Sequence, residues 1–186
     1  MGTAQQINTY RGIQPFIEIM DSTLRDGEQT NGVSFVPHEK LMIARMLLRD
    51  VNVDRVEVAS ARVSDGEKEA VKMITRYARR IGMIDKVEVL GFVDGGRSID
   101  WIEECGGRVI NLLAKGSENH CTHQLKKSCA EHISDIKASL AYAQEKGFSL
   151  DVELLAPGLR ICILVLCGCS TCLIASSWAP WTLDKK

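Results

Sequence analysis

The chain has 186 residues, 45% hydrophobic and 25% charged, with 23 Lys and Arg set against 24 Asp and Glu. Those proportions fit one folded domain and exclude a disordered segment. A net charge of -1 lacks the positive excess on which nucleic-acid binders depend, so no nucleic-acid partner is expected. The first residues show no basic stretch followed by an apolar one, and Gln6 stands where N-myristoylation after Gly2 wants Ser or Thr. Seven cysteines in a chain without an export signal read as thiols rather than bridges, and the expected compartment is the cytoplasm.

In chain order, the apolar run over 16–20 predicts a first strand feeding a polar loop. Pro37 suits the first turn of a helix, whose apolar side is Leu41, Ile43, Ala44, Leu47 and Leu48. The β-branched run 53–59 predicts strand two. Ser64-x-x-Glu67 has capping-box spacing for a helix with Val71, Ile74, Ala78 and Ile81 on one side and Gly82 at its end. Strand three is expected over 87–93, a short helix over 98–105 and strand four over 109–114. Ser128-x-x-Glu131 repeats the capping-box spacing before a long helix that Gly147 closes, and strand five starts near Phe148. Strands separated by helices imply βαβ crossovers and parallel pairing. Periodicity leaves the open doubly wound sheet and the (β/α)8 barrel both standing.

Beyond residue 157 the composition changes. No charged residue occurs over 161–183, and Cys162, Cys167, Cys169, Cys172, Trp178 and Trp181 gather there. A membrane anchor is disfavoured because Gly168, the Ser pair and Pro180 interrupt the apolar run, and spanning needs about 20 apolar residues. A metal knuckle on the closely spaced cysteines is disfavoured by their Ile, Leu and Val surroundings. The third reading is that the tail does not naturally continue the upstream domain.

Chemistry concentrates in Asp21-Ser22-Thr23-Leu24-Arg25-Asp26-Gly27-Glu28-Gln29, directly after strand one. Loops at strand C-termini build the active sites of parallel α/β folds. Asp26 offers oxygen to a hard divalent cation, and Arg25 offers a permanent charge to a developing enolate or alkoxide. Polar strand ends are also ordinary, so these residue types alone leave the question open.

The nine-residue segment resembles the D-[ST]-T-L-R-D-G-E-Q signature of the 2-isopropylmalate, homocitrate and citramalate synthase family, which related metal-dependent lyases share in looser form. The resemblance runs over about 15–155. It implies a partial (β/α)8 TIM barrel, the first four to five βα units, over 16–157. An N-terminal extension over 1–15 and the uncharged tail over 158–186 flank it. By resemblance, Arg25 is the catalytic arginine, Asp26 a metal ligand, and Gln29, Glu57, Asn111 and Ser117 substrate contacts. The implied cofactor is a divalent ion, Mg2+, Mn2+ or Zn2+. The implied substrates are acetyl-CoA and a 2-oxo acid, condensed to a 2-alkylmalate in leucine-type amino-acid biosynthesis, and full-length members are expected to be homo-oligomers. The His-x-His pair that completes the family's metal site after strand seven has no counterpart here, and His120 and His123 flank Cys121 in a different loop. Glu153 only approximates the family's strand-five acid. The chain is therefore expected to be inactive alone, with an apolar barrel interior left uncovered. His132 is expected on a helix surface. The alternatives are a hydroxyacyl lyase of the same superfamily, or a non-catalytic fragment that needs a partner chain.

Overall fold

The computed structural model describes residues 18–156 and 159–165, with side chains over 18–152. The predicted extension over 1–15, most of the tail and the Glu153 side chain lie outside the described residues.

Five strands follow one another in the sheet in chain order, all parallel: β1 (Met20–Asp21), β2 (Arg55–Ser60), β3 (Val87–Phe92), β4 (Val109–Lys115) and β5 (Ser149–Ala156). Helices α1 (Pro37–Met46), α2 (Asp65–Arg80), α3 (Arg97–Glu104) and α4 (Cys129–Glu145) make the crossovers. An unbroken strand order decides between the two architectures, because a doubly wound sheet reverses at a switch point and a barrel does not. One core supports this. Val56, Val58, Val87, Val89, Ile110, Leu112, Leu150 and Val152 on one sheet face pack with Ala44, Leu48, Ile74, Ala78, Ile99, Ile102, Leu140 and Ala143 from all four helices. The described residues are the first part of a (β/α)8 barrel.

One element lies outside the expected pattern, and one expectation needs correction. The last pairing is antiparallel: β6 (Leu159–Val165) follows β5 without a crossover helix and pairs Ala156 with Leu159 through Leu150 with Val165. The face that a barrel turns inward is not apolar. Arg55, Glu57, Glu88, Asn111 and Asp151 meet there, and the four besides Arg55 are buried. Alternation explains both faces, since Val56 and Val58 of β2 and Val87 and Val89 of β3 alternate with Arg55, Glu57 and Glu88.

Element ends follow local chemistry. Glu39 accepts the Val36 N–H at 2.9 Å ahead of Pro37, and α1 runs into a π-helical turn, Leu47–Val51, that stops at Asn52 in the left-handed region (φ 56). Ser128 and Glu131 form the full reciprocal box predicted for α4. At α2, Ser64 accepts the Glu67 N–H at 3.1 Å, but the Glu67 carboxylate turns elsewhere, as described below. The first strand is shorter than predicted, beginning at Met20.

Candidate active site

The loop after β1 is wound around a single carbonyl. Ser22 O accepts the N–H groups of Arg25, Asp26 and Gly27 at 3.2, 2.8 and 3.0 Å. Asp21 fixes the entry by accepting the Thr23 N–H at 3.0 Å and its hydroxyl at 3.1 Å. Leu24 is fully buried and pins the turn to the core. This winding presents Arg25 and Asp26 side by side at the C-terminal mouth of the parallel strands.

Arg25 is held from behind by Glu57. Its Nε and Nη2 each donate to Glu57 Oε2 at 2.7 Å, and its Nη1 donates to Asp26 Oδ1 at 2.9 Å. The Ser22 hydroxyl donates to the same Glu57 oxygen at 2.7 Å, and Asn111 Nδ2 donates to Oε1 at 3.0 Å. Glu57 has no exposed surface, so its charge is stabilised entirely by these donors. Sequence reasoning placed Glu57 and Asn111 against substrate. In the structure Glu57 holds Arg25 and Asn111 holds Glu57, which fixes the direction of the guanidinium.

A second knot was missed. Lys40 is 1% exposed. Its Nζ donates to Leu24 O at 3.1 Å and meets Glu28 Oε2 at 2.6 Å and Glu67 Oε1 at 2.5 Å. Glu28 also accepts the Phe35 N–H at 2.9 Å. Burial acts to raise the Glu28 carboxyl, but Lys40 and the Phe35 N–H outweigh it and hold it below its ordinary value. For Glu67 burial prevails over Lys40 and the carboxyl is raised. A signal was present in the sequence: Lys40 lies four residues before Ala44 and eight before Leu48, in phase with the buried side of α1.

A cleft of about 170 Å3 opens at this mouth, lined by Leu24, Arg25, Glu28, Gln29, Ala59, Ser60, Val63 and Glu67. Of the predicted site residues, Arg25 and Gln29 line it, and Asp26 adjoins through Arg25. Ser117 is not brought to this cleft; its hydroxyl accepts the His120 N–H at 3.3 Å and its carbonyl the Cys121 N–H at 3.1 Å. His120 and His123 lie in a π-helical turn, His120–Leu125. His132, expected on the surface, is buried on α4; burial draws its pKa below the ordinary value against the opposing pull of the Lys115 backbone.

Asp26 contributes one carboxylate, whereas a hard divalent cation takes about six oxygen ligands. Among the described residues no group of three or more His, Cys, Asp or Glu side chains could hold a metal ion. The residues over 18–152 therefore do not by themselves fit the implied ion. No helix among the described residues is long and apolar enough to cross a membrane.

The family model described as HMGL-like matches residues 16–159. The chain belongs to the HMGL-like family. Similar curated proteins are the (R)-citramalate synthase CimA of Methanocaldococcus jannaschii, 39% identical over 137 residues, covering 74% of this chain and 27% of that protein. The 2-isopropylmalate synthase of Saccharolobus solfataricus is 36% identical over 136 residues, covering 73% and 34%. This HMGL-like chain thus spans about a quarter to a third of the length of the curated relatives it matches. Among solved structures, the HMG-CoA lyase of Brucella melitensis matches with a TM-score of 0.55 at 21% identity, over 74% of this chain and 48% of that one. A lyase from Pseudomonas aeruginosa matches with a TM-score of 0.57 at 15% identity, over 74% and 45%. At such identities these two matches establish the HMGL-like fold alone.

Proposed function

We propose that residues 18–156 are the N-terminal part of the catalytic domain of a condensing acyltransferase that joins acetyl-CoA to a 2-oxo acid. In that reaction the acetyl methyl group loses a proton, its carbon bonds to the keto carbon, and water releases CoA. Arg25 is the residue that meets the negative charge developing on the keto oxygen. Glu57, Ser22 and Asn111 hold its guanidinium before substrate arrives, so little reorganisation accompanies the reaction. Gln29, on the lip of the same cleft, is the second polar contact for the keto acid. Asp26 would be one ligand of a divalent cation, whose other ligands come from beyond residues 18–152.

One observation carries this reading: a permanently charged side chain, clamped by a buried carboxylate, lines a cleft at the C-terminal mouth of a parallel sheet. Synthases are the relatives at 36% to 39% identity, whereas the lyases share only the fold, so the condensing direction is favoured over cleavage. The test is a segment swap. Residues 18–156 replace their counterpart in the M. jannaschii citramalate synthase, and CoA release is followed with acetyl-CoA, Mg2+ or Mn2+ and several 2-oxo acids. The swapped enzyme is expected to turn over and the 186-residue chain alone to release no CoA. Arg25→Ala in the swapped enzyme should lower kcat by about 100- to 1,000-fold. A folded but inactive swap, or an Arg25→Ala variant of full activity, overturns the proposal.

A further inference from the structure

The turn between β2 and α2 holds an apolar side chain out on a strained backbone. Ala61 still donates its N–H to Leu90 O at 2.8 Å, prolonging the contact between β2 and β3, and Ser64 already caps α2. Of the two residues between them, Arg62 stands in the left-handed region (φ 65), with neither the freedom of Gly nor the short polar side chain of Asn or Asp. Val63, β-branched and apolar, is 64% exposed. An ion pair across the mouth holds this turn: Arg62 Nη1 donates to Asp94 Oδ2 at 2.9 Å. Asp94 is fixed in turn by the start of α3, where it accepts the Ser98 N–H at 3.1 Å and the Ser98 hydroxyl at 2.8 Å. Backbone strain of this kind persists where the surroundings over-determine it, and it gathers at ligand sites.

We infer that Val63 is a specificity-determining residue, the wall that meets the carbon side chain of the 2-oxo acid, and that Arg62 and Asp94 position it. This rests on the condensing reading above, in which Arg25 and Gln29 take the polar end of the keto acid. The lining of the cleft then leaves one place for the other end. Leu24 and Ala59 also line it, but they are no more than 1% exposed, whereas Val63 is open. The rest of the lining is Ser60 and the carboxylates of Glu28 and Glu67. An alkyl group leaving water therefore finds its apolar surface at Val63. In a cleft of about 170 Å3 the reach of that side chain sets how long the alkyl group can be. The pair between Arg62 and Asp94 keeps the wall at a fixed distance from Arg25, because it ties the turn after β2 to the loop after β3.

The swapped synthase carries the test, with kcat/KM for 2-oxobutanoate measured relative to pyruvate, a difference of one methylene. Val63→Phe brings the wall closer and should lower this ratio by about 10-fold; Val63→Ala draws it back and should raise the ratio by about as much. The side chain is exposed, so both variants keep the fold. Asp94→Asn still caps the Ser98 N–H, because Asn caps a helix as well as Asp, but it takes the charge away from Arg62. It should raise KM for 2-oxobutanoate by about 5-fold while kcat falls less. A swap that turns over with the same ratio for Val, Phe and Ala at position 63 overturns the assignment and leaves the condensing reading standing. A folded swap that releases no CoA with either acid overturns that reading, and the assignment falls with it. An unchanged KM in Asp94→Asn overturns the positioning role.

Discussion

Lys40 sets the strength of the site at the level of single residues. One buried ammonium serves two carboxylates and a backbone carbonyl, tying the loop after β1 (Leu24 and Glu28) to α2 (Glu67). Removing one member of a buried ionic cluster leaves the others uncompensated, which costs more than the cluster contributed. Lys40→Met keeps the volume and removes the charge, so it should destabilise the fold by about 3 kcal/mol, read as a lower midpoint in urea unfolding. Glu28 and Glu67 are then left facing each other, so the loss should be larger near neutral pH than in mild acid, where these carboxyls take up protons. The residue scale is also where the sequence was read least completely. The nine-residue segment singles out Arg25 and Asp26 as candidates by itself, because residue type and spacing are the signal. The partners that orient them come from 32 to 54 residues away, as with Glu57 on Arg25 and Asn111 on Glu57, and no local pattern encodes such pairings. Lys40 is the intermediate case: its helical phase says it is buried, but not which carboxylates receive it.

Among elements, the two Ser-x-x-Glu boxes show where local reading succeeds and where tertiary contacts override it. At α4 nothing competes for Glu131, which accepts the Ser128 N–H at 2.8 Å and hydroxyl at 2.7 Å. These contacts, the backbone N–H first, hold its carboxyl below the ordinary range. At α2 the same motif is only half formed, because Lys40 offers Glu67 a buried cation in place of a solvent-exposed N–H. Charge-assisted bonds away from water outweigh a neutral cap. Ser128→Ala should therefore cost about 1 kcal/mol and fray the start of α4. The check is a thermal melt together with faster amide exchange at residues 129–131; unchanged exchange there would argue against the cap. Strands β2 to β5 and all four helices were legible from alternation, Pro37 and the glycines at 82 and 147, since each signal is local. The antiparallel return of β6 was not, because a run of Ile, Cys, Leu and Val pairs equally well in either direction.

For the molecule as a whole, the inward face of the sheet carries a charge problem that pH can titrate. Arg55 Nη1 meets Glu88 Oε1 at 2.6 Å and Asp151 Oδ2 at 2.5 Å, with Glu18 at 3.0 Å from its Nε. One guanidinium cannot neutralise two buried carboxylates, so the pair retains a proton. Burial above all, with Asp151 adding to it, pushes the Glu88 carboxyl from 4.5 up to about 7 against the pull of Arg55, and Asp151 is raised by burial as well. The unfolded chain gives up this proton near pH 4.5, and the folded chain holds it until near pH 7. The stabilisation is therefore complete below the lower value and is lost as pH rises through the upper one. His132 opposes this slope: its depressed pKa makes a contribution that fades as pH falls below 6.5. A difference between two proteins removes that background. Glu88→Gln keeps the hydrogen-bonding shape but cannot ionise, so the stability of the unsubstituted chain minus that of the variant should fall between about pH 5 and about pH 8, by on the order of 2 to 3 kcal/mol. At the alkaline end the variant should match or exceed the unsubstituted chain, since Arg55 then has one buried carboxylate to balance instead of two. Urea midpoints across that range measure the difference. A flat difference would mean that Glu88 stays ionised throughout, and that something other than a shared proton keeps the two carboxylates together inside the sheet.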